Sequence, residues 1–417
     1  MLYYHIYPFE RINKMINVAI LGFGVVGSGV AEVLTQNKGI IEKKLGKEIN
    51  IKYILDLREF PDSPFGSLVI HDFNTILNDP EVSVVAEMMG GSHPAYDFSK
   101  ACLEAGKSVV TSNKEVVANF GAELLSIARE RGVAYMFEAS VGGGIPIIRP
   151  MLNDLSSNNI TEISGILNGT TNYILTKMMN EGADFSAVLK DAQDKGYAER
   201  NPAADVEGLD AARKIVILAA LAYGTLISPN DIHVEGITDI ATEDVELAAD
   251  FGYSVKLIGH AEKLGGKTLC MVSPRLVPSY NPLSSINDVF NGILLDGDMV
   301  GQVMFYGPGA GKLPTASAVS ADIVDVIAHM ESGFKLPAFK VADKSELADF
   351  DSYCCRRMFI FTADVDSKGA EALLGIPVCQ FTRKGEKVAV ITSEPISESV
   401  VTDLTKRLQG CKSYRVL

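Results

Sequence analysis

Between Gly196 and Lys214 the chain reads GYAERNPAADVEGLDAARK, which collects Glu199, Asp205, Asp210 and Lys214 in one short stretch. Asp210 and Lys214 are four residues apart, a spacing that puts them on one face of a helix. From Ile215 to Gly224 no charged residue follows. The helix they open must therefore be buried, and its ionisable mouth is placed at a cleft rather than in bulk solvent. Carboxylates can hold an ammonium group, and a lysine can give a proton to an oxygen that becomes an alkoxide as hydride arrives. The set suits a small zwitterionic substrate. The same spacing also describes a solvated ion pair contributing only ~0.3–0.5 kcal/mol; the uncharged remainder of the helix weighs against that reading.

A second constellation lies near the start. The strand-like run Ile16–Leu21 leads into Gly22-Phe23-Gly24-Val25-Val26-Gly27, and a helix-like stretch, 28–36, follows. In such a GxGxxG turn the first glycine permits the bend and the second lets backbone approach a pyrophosphate. The third lets helix and strand pack closely, and the helix N-terminus faces the phosphates. The bland alternative is a glycine-rich turn that binds nothing. The next strand-like run, 51–55, ends in Asp56-Leu57-Arg58. An acid there takes the ribose hydroxyls and an arginine accommodates a 2′-phosphate, so NAD and NADP both stay open.

These residues need elements to position them. Runs at 82–88, 108–111 and 134–138 read as strands, and 95–105 and 120–131 as helices. Such alternation predicts a parallel sheet with helices on both faces. The breaker cluster Gly142-Gly143-Gly144-Ile145-Pro146 marks a crossing into a second domain. That domain contains a strand at 162–167, a helix at 171–180, a long apolar helix after Asp205, and further strands at 269–272 and 301–306. It should form an open sheet with helices on one side. The run 314–330 reads as a helix returning to the first domain, 340–350 as a polar linker, and 351–417 as a short α+β tail. With no catalytic-type residue beyond 350, that tail is expected to be dispensable for chemistry. Residues 1–14 read as an extension outside the folded core.

Composition sets the outer limits. The 417 residues are 47% hydrophobic and 22% charged, with net charge −14, which suits a globular protein and argues against nucleic-acid or anionic-membrane partners. No apolar run reaches the ~18–20 residues of a membrane span. The six cysteines show no CxxC spacing and no clustering with histidine, so they read as reduced thiols of a cytoplasmic protein rather than as a zinc site or a disulfide framework.

The segment GYAE, then a proline, then DVxGxDAxRK resembles the signature of homoserine dehydrogenases. GFGVVG at 22–27, MGG at 89–91, TSNK at 111–114, EASVGGGIPII at 138–148, ILNGTTNYIL at 166–175 and YGPGAGKLPTASAV at 306–319 stand in the family's order. The resemblance covers about residues 16–345. It implies an α/β chain: a Rossmann-type dinucleotide-binding domain over 15–145, completed by a helix at about 314–345, an α+β catalytic and dimerisation domain over 146–313, and the small α+β C-terminal tail over 351–417. It implies the reversible NAD(P)H-dependent reduction of L-aspartate 4-semialdehyde to L-homoserine, in threonine, methionine and isoleucine biosynthesis.

The resemblance also implies roles. Lys214 matches the proton donor to the aldehyde oxygen, and Lys114 a lysine between cofactor and substrate. Glu199 and Asp210 match substrate-binding carboxylates, with Asp205 a supporting acid. Thr170 is either a substrate-side contact or a helix N-cap. Gly22, Phe23, Gly24, Val25, Val26, Gly27, Asp56, Arg58, Gly91 and Ser112 fall on the cofactor side, and Gly196 and Gly309 beside the nicotinamide end. Glu138, by its carboxylate, and Val141, Gly143 and Ile145, by their carbonyls, resemble the family's monovalent-cation site, for sodium; hard oxygen donors suit such an ion. A homodimer or dimer of dimers is expected, because the second domain's sheet needs cover on the face that helices leave bare. The tail resembles an ACT-type domain, but Lys368 stands where the usual Asp-x-Pro-Gly turn has proline. The competing reading of the whole chain is a non-catalytic dinucleotide-binding redox sensor, against which Lys214 speaks.

Overall fold

The computed structural model describes residues 15–417; the expected extension, residues 1–14, lies outside them. The chain forms two compact units. One comprises the chain up to Val116 with Glu123–Ala139 and Gly311–Leu336. Its strand Ile16–Leu21 is buried at every position, as a strand covered on both faces requires. The parallel sheet runs, edge to edge, Val69–Ile70, Ile49–Leu55, Ile16–Leu21, Val82–Glu87, Ser108–Thr111, Tyr135–Met136. In chain order this is 3-2-1-4-5-6, the doubly wound arrangement whose strand order reverses beside the first strand, where dinucleotides bind.

The helix Lys312–His329 belongs to this unit and lies along Val25–Gln36. Gly29 permits the approach: a Cβ there would stand 2.9 Å from the Lys312 carbonyl oxygen and 3.0 Å from Ala316 Cβ. Val30, Ile20, Val319 and Ile323 fill the core beneath. Several boundaries differ from expectation. The helix expected from Phe120 begins at Lys114, because the Asn113 side chain accepts from the Val116 amide (3.2 Å) and caps it there; hydrophobic periodicity does not register a polar cap. The strand expected to reach Glu138 is only Tyr135–Met136, and Glu138 falls in a 3-10 turn, Glu138–Ser140.

The other unit, Val117–Ala122, Ser140–Ala310 and Pro337–Leu417, is built on a ten-stranded sheet. Its order is Gly301–Pro308, Phe290–Gly297, Ile160–Ile166, Tyr253–Leu264, Lys267–Pro278, Lys412–Val416, Arg357–Thr362, Lys387–Thr392, Val378–Lys384, with His233–Val234 pairing beside Lys267–Pro278. The helix Leu209–Tyr223 covers one face; a Cβ on Gly259 would lie 3.3 Å from Ile215 Cβ. The single helix expected after Asp205 is two, Ala203–Val206 and Leu209–Tyr223. Gly208 separates them at φ 84°, a left-handed conformation that glycine adopts without steric cost.

The C-terminal tail is built into the sheet of this unit. Apart from the short separate pair Cys354–Cys355 and Ile396–Ser397, its order of strand, helix, two strands, helix, strand is the βαββαβ of ferredoxin-like units, but its last strand lies inside the ten-stranded sheet. Lys412–Val416 pairs in parallel with Lys267–Pro278, Arg275 opposite Arg415, and antiparallel with Arg357–Thr362. Charge ties the join. Glu398, 4% exposed, accepts from Arg415 Nε (2.8 Å) and Nη2 (3.0 Å) and from Arg357 Nη2, while Arg415 Nη1 donates to Glu235 (2.9 Å). The planar guanidinium fork is the cation best suited to such desolvated pairing.

The sheet face opposite Leu209–Tyr223 is not bare either. Leu269 and Met271 pack there with Ala348, Phe350, Tyr353 and Cys355, and Arg275 Nη1 donates to the Tyr353 hydroxyl (3.1 Å). The chain's own linker and tail cover this part of the face. Among the described residues no helix is long and apolar enough to cross a membrane.

Candidate active site

In the first unit the glycine-rich turn has the shape that phosphates need. Gly22 turns at φ 89°, and a Cβ there would stand 2.9 Å from the Met88 carbonyl oxygen. A Cβ on Gly27 would stand 2.0 Å from the Gly22 carbonyl oxygen, so the third glycine sets the helix against the strand. Around Gly24 nothing lies within 4 Å of where its Cβ would be, which leaves the space a pyrophosphate requires. No side chain caps the helix Val25–Gln36, so its first amides are available to an anion. The helix begins at Val25, within the motif and earlier than the expected 28. Phe23 is buried, Val26 half-buried, and Val25 exposed.

Asp56 and Arg58, read as competitors for the ribose, are joined to each other. Arg58 Nε and Nη2 donate to the two Asp56 oxygens at 2.9 and 3.0 Å, and the Phe23 amide donates to Asp56 Oδ2 (2.8 Å). The guanidinium, helped by the Phe23 and Arg58 amides against burial, holds the Asp56 carboxyl down at about 2. The Arg58 guanidinium also lies over the Phe60 ring, 5.1 Å from its centroid. This strand tip thus presents a neutralised pair rather than a bare carboxylate.

At the other strand tips, the Gly91 carbonyl accepts from Asn113 Nδ2 (2.8 Å), and the Ser112 amide donates to the Glu87 carbonyl (3.4 Å). Lys114 is the first residue of its helix. Sequence reasoning passed over Glu87. It is fully buried and accepts from the Met89 amide and the Thr111 hydroxyl, both at 2.7 Å, and burial raises its carboxyl above the usual range. It pins the MGG turn to the next strand. The available signal was an acid closing an otherwise uncharged strand.

In the second unit, Asp210 and Lys214 meet at 2.8 Å, and their side chains are 8% and 10% exposed. This is no solvated pair. Lys214 Nζ also donates to the Leu167 carbonyl (2.7 Å). Asn168 Nδ2 donates to Asp205 Oδ1 (2.7 Å) and to Asp210 Oδ2 (3.0 Å), so Lys214, Asp210, Asn168 and Asp205 form one chain of polar contacts. Asn168 went unread as a site residue. It is the N-cap of the helix Gly169–Glu181, its Oδ1 accepting from the Thr171 amide (2.9 Å). An Asn at the mouth of a helix was the signal.

Thr170 therefore lies inside the helix and is not its cap. Its hydroxyl donates to the Tyr197 carbonyl (2.7 Å), tying the helix to the loop that carries Gly196 and Glu199. Gly196 stands at φ 75° with open space around it. Glu199 is exposed and takes no part in the Asn168 network. On the glycine-rich crossing, Gly143 stands at φ 57°, where a Cβ would fall 2.2 Å from the Gly309 carbonyl oxygen. The Gly144 amide donates to the Pro308 carbonyl (3.0 Å), and the Ile145 amide to that of Gly142 (2.9 Å). Val141 and Ile145 are buried. Glu138, in the first unit, is 1% exposed, and its amide donates to Asp322 (2.9 Å). Among the described residues no cluster of three or more His, Cys, Asp or Glu could hold a metal ion.

Asn168 invites a test. Serine there keeps the cap but cannot bridge two carboxylates. Asn168→Ser should melt close to the parent and lose about tenfold in kcat/KM, the worth of a hydrogen bond to a charged group. Parent-like kinetics would show that the bridge positions nothing.

A family model described as homoserine dehydrogenase matches residues 146–324, and one described as the homoserine dehydrogenase NAD-binding domain matches residues 22–138. The chain is 43% identical over 324 residues to homoserine dehydrogenase of Bacillus subtilis, covering 77% of this chain and 75% of that protein. It is similar to the crystal structure of a homoserine dehydrogenase from Thiobacillus denitrificans, with TM-score 0.87 and 33% identity over 97% of this chain and 98% of that one. A hyperthermophilic archaeal homoserine dehydrogenase in complex with NADPH matches with TM-score 0.65 and 28% identity, over 75% of this chain and 97% of its own. With the dinucleotide turn and the buried carboxylate–lysine chain both in place, the chain belongs to the homoserine dehydrogenase family, the NAD(P)-dependent oxidoreductases that act on the CH–OH group of homoserine.

Proposed function

We propose that Lys214 is the proton donor of this reaction and that Asp210, Asp205 and Glu199 form the substrate-binding carboxylates. The observation that supports this most is the buried contact of Lys214 with Asp210, bridged by Asn168 to Asp205. Asp210 and the Leu167 carbonyl orient the ammonium, so Lys214 holds a proton where the substrate oxygen gains negative charge. In homoserine oxidation the same amine takes the proton back. Asp205 and Asp210 offer the substrate ammonium a charge-assisted pair. Thr170 keeps the Glu199 loop in register through the Tyr197 carbonyl. When bound, the nicotinamide cofactor supplies or accepts the hydride; Gly22 to Gly27, Asp56, Arg58, Gly91, Ser112 and Lys114 would hold it, with Gly196 and Gly309 at its nicotinamide end.

The cofactor reading is dual use of NADP and NAD. The archaeal relative was seen with NADPH, and Arg58 is the group here that can pair with a 2′-phosphate. Because Asp56 holds Arg58 bidentately, the two act as one unit. Arg58→Ala should lower kcat/KM for NADP far more than for NAD. Asp56→Ala should release the guanidinium and shift preference towards NADP. Equal effects on both cofactors in both variants would remove these residues from the ribose.

A monovalent cation, sodium, on the carbonyls of Val141, Gly143 and Ile145, with Glu138 as the charged ligand that the resemblance implies, belongs to the same proposal. So does a homodimer or dimer of dimers, supported by Met299 and Tyr306, which are exposed on the edge hairpin Phe290–Gly297 and Gly301–Pro308. A cytoplasmic setting is supported by six free cysteines. The deciding experiment is an initial-rate assay of homoserine oxidation with NAD and NADP side by side. Cofactor-dependent turnover is expected, and its absence from a folded, dinucleotide-binding protein would overturn the catalytic assignment.

A further inference from the structure

Lys256 is 1% exposed, and among the described residues no carboxylate lies within ion-pair distance of it. Its partners are three neutral oxygens: Ile286 O (2.5 Å), Asn172 Oδ1 (3.1 Å) and Asn287 Oδ1 (3.2 Å). Burial pushes the ammonium down to about 8. A methionine would fill the same volume without that desolvation, so the amine is doing something that packing does not require.

What it touches is one short segment. Ile286 to Phe290 contains Asp288 at φ 56°, the one non-glycine residue at positive φ among those described, a conformation that persists only where surroundings enforce it. The enforcement is visible. Asn172 Nδ2 donates to the carbonyls of Ile286 (3.2 Å), Asp288 (3.0 Å) and Phe290 (3.1 Å), and the Asp288 amide donates to Thr176 Oγ1 (3.1 Å).

The far side of the segment meets the active-site backbone. The Val289 carbonyl oxygen lies 2.6 Å from where a Cβ on Gly169 would stand, and Asn291 Nδ2 lies 2.0 Å from the corresponding point on Gly309. Gly169 directly follows Asn168, whose side chain spans Asp205 and Asp210. Asn291 is buried with its Oδ1 unpartnered, as a residue placed for contact with Gly309 rather than for its own hydrogen bonds.

We propose that Lys256 is a positioning residue of the active site: by holding Ile286 to Asn291 in a strained conformation, it fixes the backbone of Gly169 and Gly309 and through them the substrate carboxylates. The inference rests on the assignment of the Asn168–Thr170 turn to the substrate side. No step of the reaction passes through Lys256 itself.

The test uses the full chain with homoserine and NADP. Lys256→Met should lower kcat/KM for homoserine by at least about tenfold, the scale of an ångström-level misplacement, with the Kd for NADPH within about twofold of the parent, because the dinucleotide turn lies in the other unit. Adding Asp288→Gly to Lys256→Met should recover most of the loss, since glycine holds positive φ without enforcement; a merely structural lysine would show no such rescue. A Lys256→Met enzyme that keeps more than half of parental kcat/KM, or one whose loss Asp288→Gly does not relieve, overturns the proposal. Should Lys256→Met fail to fold, Asn287→Ala, at a half-exposed position, removes one contact and must still lower kcat/KM by about threefold for the idea to stand; parental activity there would also overturn it. If the parent itself does not turn over homoserine, the catalytic reading fails instead, so the two failures are separable.

Discussion

Replacing Lys214 with alanine should reduce kcat for homoserine oxidation by about 10²–10⁴-fold, the usual contribution of a general acid or base. The magnitude follows from where the amine sits. It is buried, its Nζ held by Asp210 at 2.8 Å and by the Leu167 carbonyl at 2.7 Å, so no mobile surface lysine can substitute. Cofactor affinity should stay near the parent value, because the glycine-rich turn and the Asp56–Arg58 pair belong to the other unit. KM for homoserine should move less than kcat, since Asp205 and Asp210 remain. Lys214→Arg separates charge from proton transfer: a guanidinium restores the cation but holds its proton too tightly to give it up, so it should rescue little. A folded alanine variant with more than about a tenth of parental kcat would rule out the assignment.

Ending the chain after Phe350 should produce a protein that is unstable or insoluble, although no catalytic-type residue lies beyond 350. The truncation strips Lys412–Val416 from Lys267–Pro278 and leaves that strand's edge unpaired at Arg275 and Leu276. It removes Tyr353, the hydroxyl partner of the buried Arg275, and uncovers Leu269 and Met271. Each large apolar side chain returned to water costs about 1.5–3 kcal/mol, and a stranded buried cation costs about as much again. Together these approach the ~5–15 kcal/mol of a whole domain's stability. Soluble yield and thermal unfolding of the truncated chain decide it. A soluble protein that melts with the parent and keeps parental kcat would show the tail to be separable after all.

The sequence was a good guide wherever chemistry lay in short spacing. GFGVVG sits on its turn, Asp56 at its strand tip, and Asp210 and Lys214 on one helix face, because strand, turn and helix periodicity are local properties that a few residues specify. The burial of the helix beyond Lys214 was legible too, since an uncharged run of helix has nowhere to go but a core. Local reading failed at polar caps. Asn113 and Asn168 each start a helix earlier than the hydrophobic pattern suggests, and Asn168 then spans two carboxylates that no spacing rule connects.

What tertiary structure alone decided depends on partners far apart in the chain. The strand Lys412–Val416 looks like any short tail strand until it pairs with Lys267–Pro278, and nothing in either pattern names the other. Arg357 and Arg415 look like surface charges until Glu398 meets them in the interior. Asp56 and Arg58 look like rivals for one ribose until the guanidinium closes on the carboxylate. Lys256 falls in no element that the sequence pattern picks out, and only the fold surrounds it with Asn172, Ile286 and Asn287. Residue type and local period select which elements form and which side faces inward; the balance between desolvation and pairing that determines what a buried charge does exists only once distant segments have met.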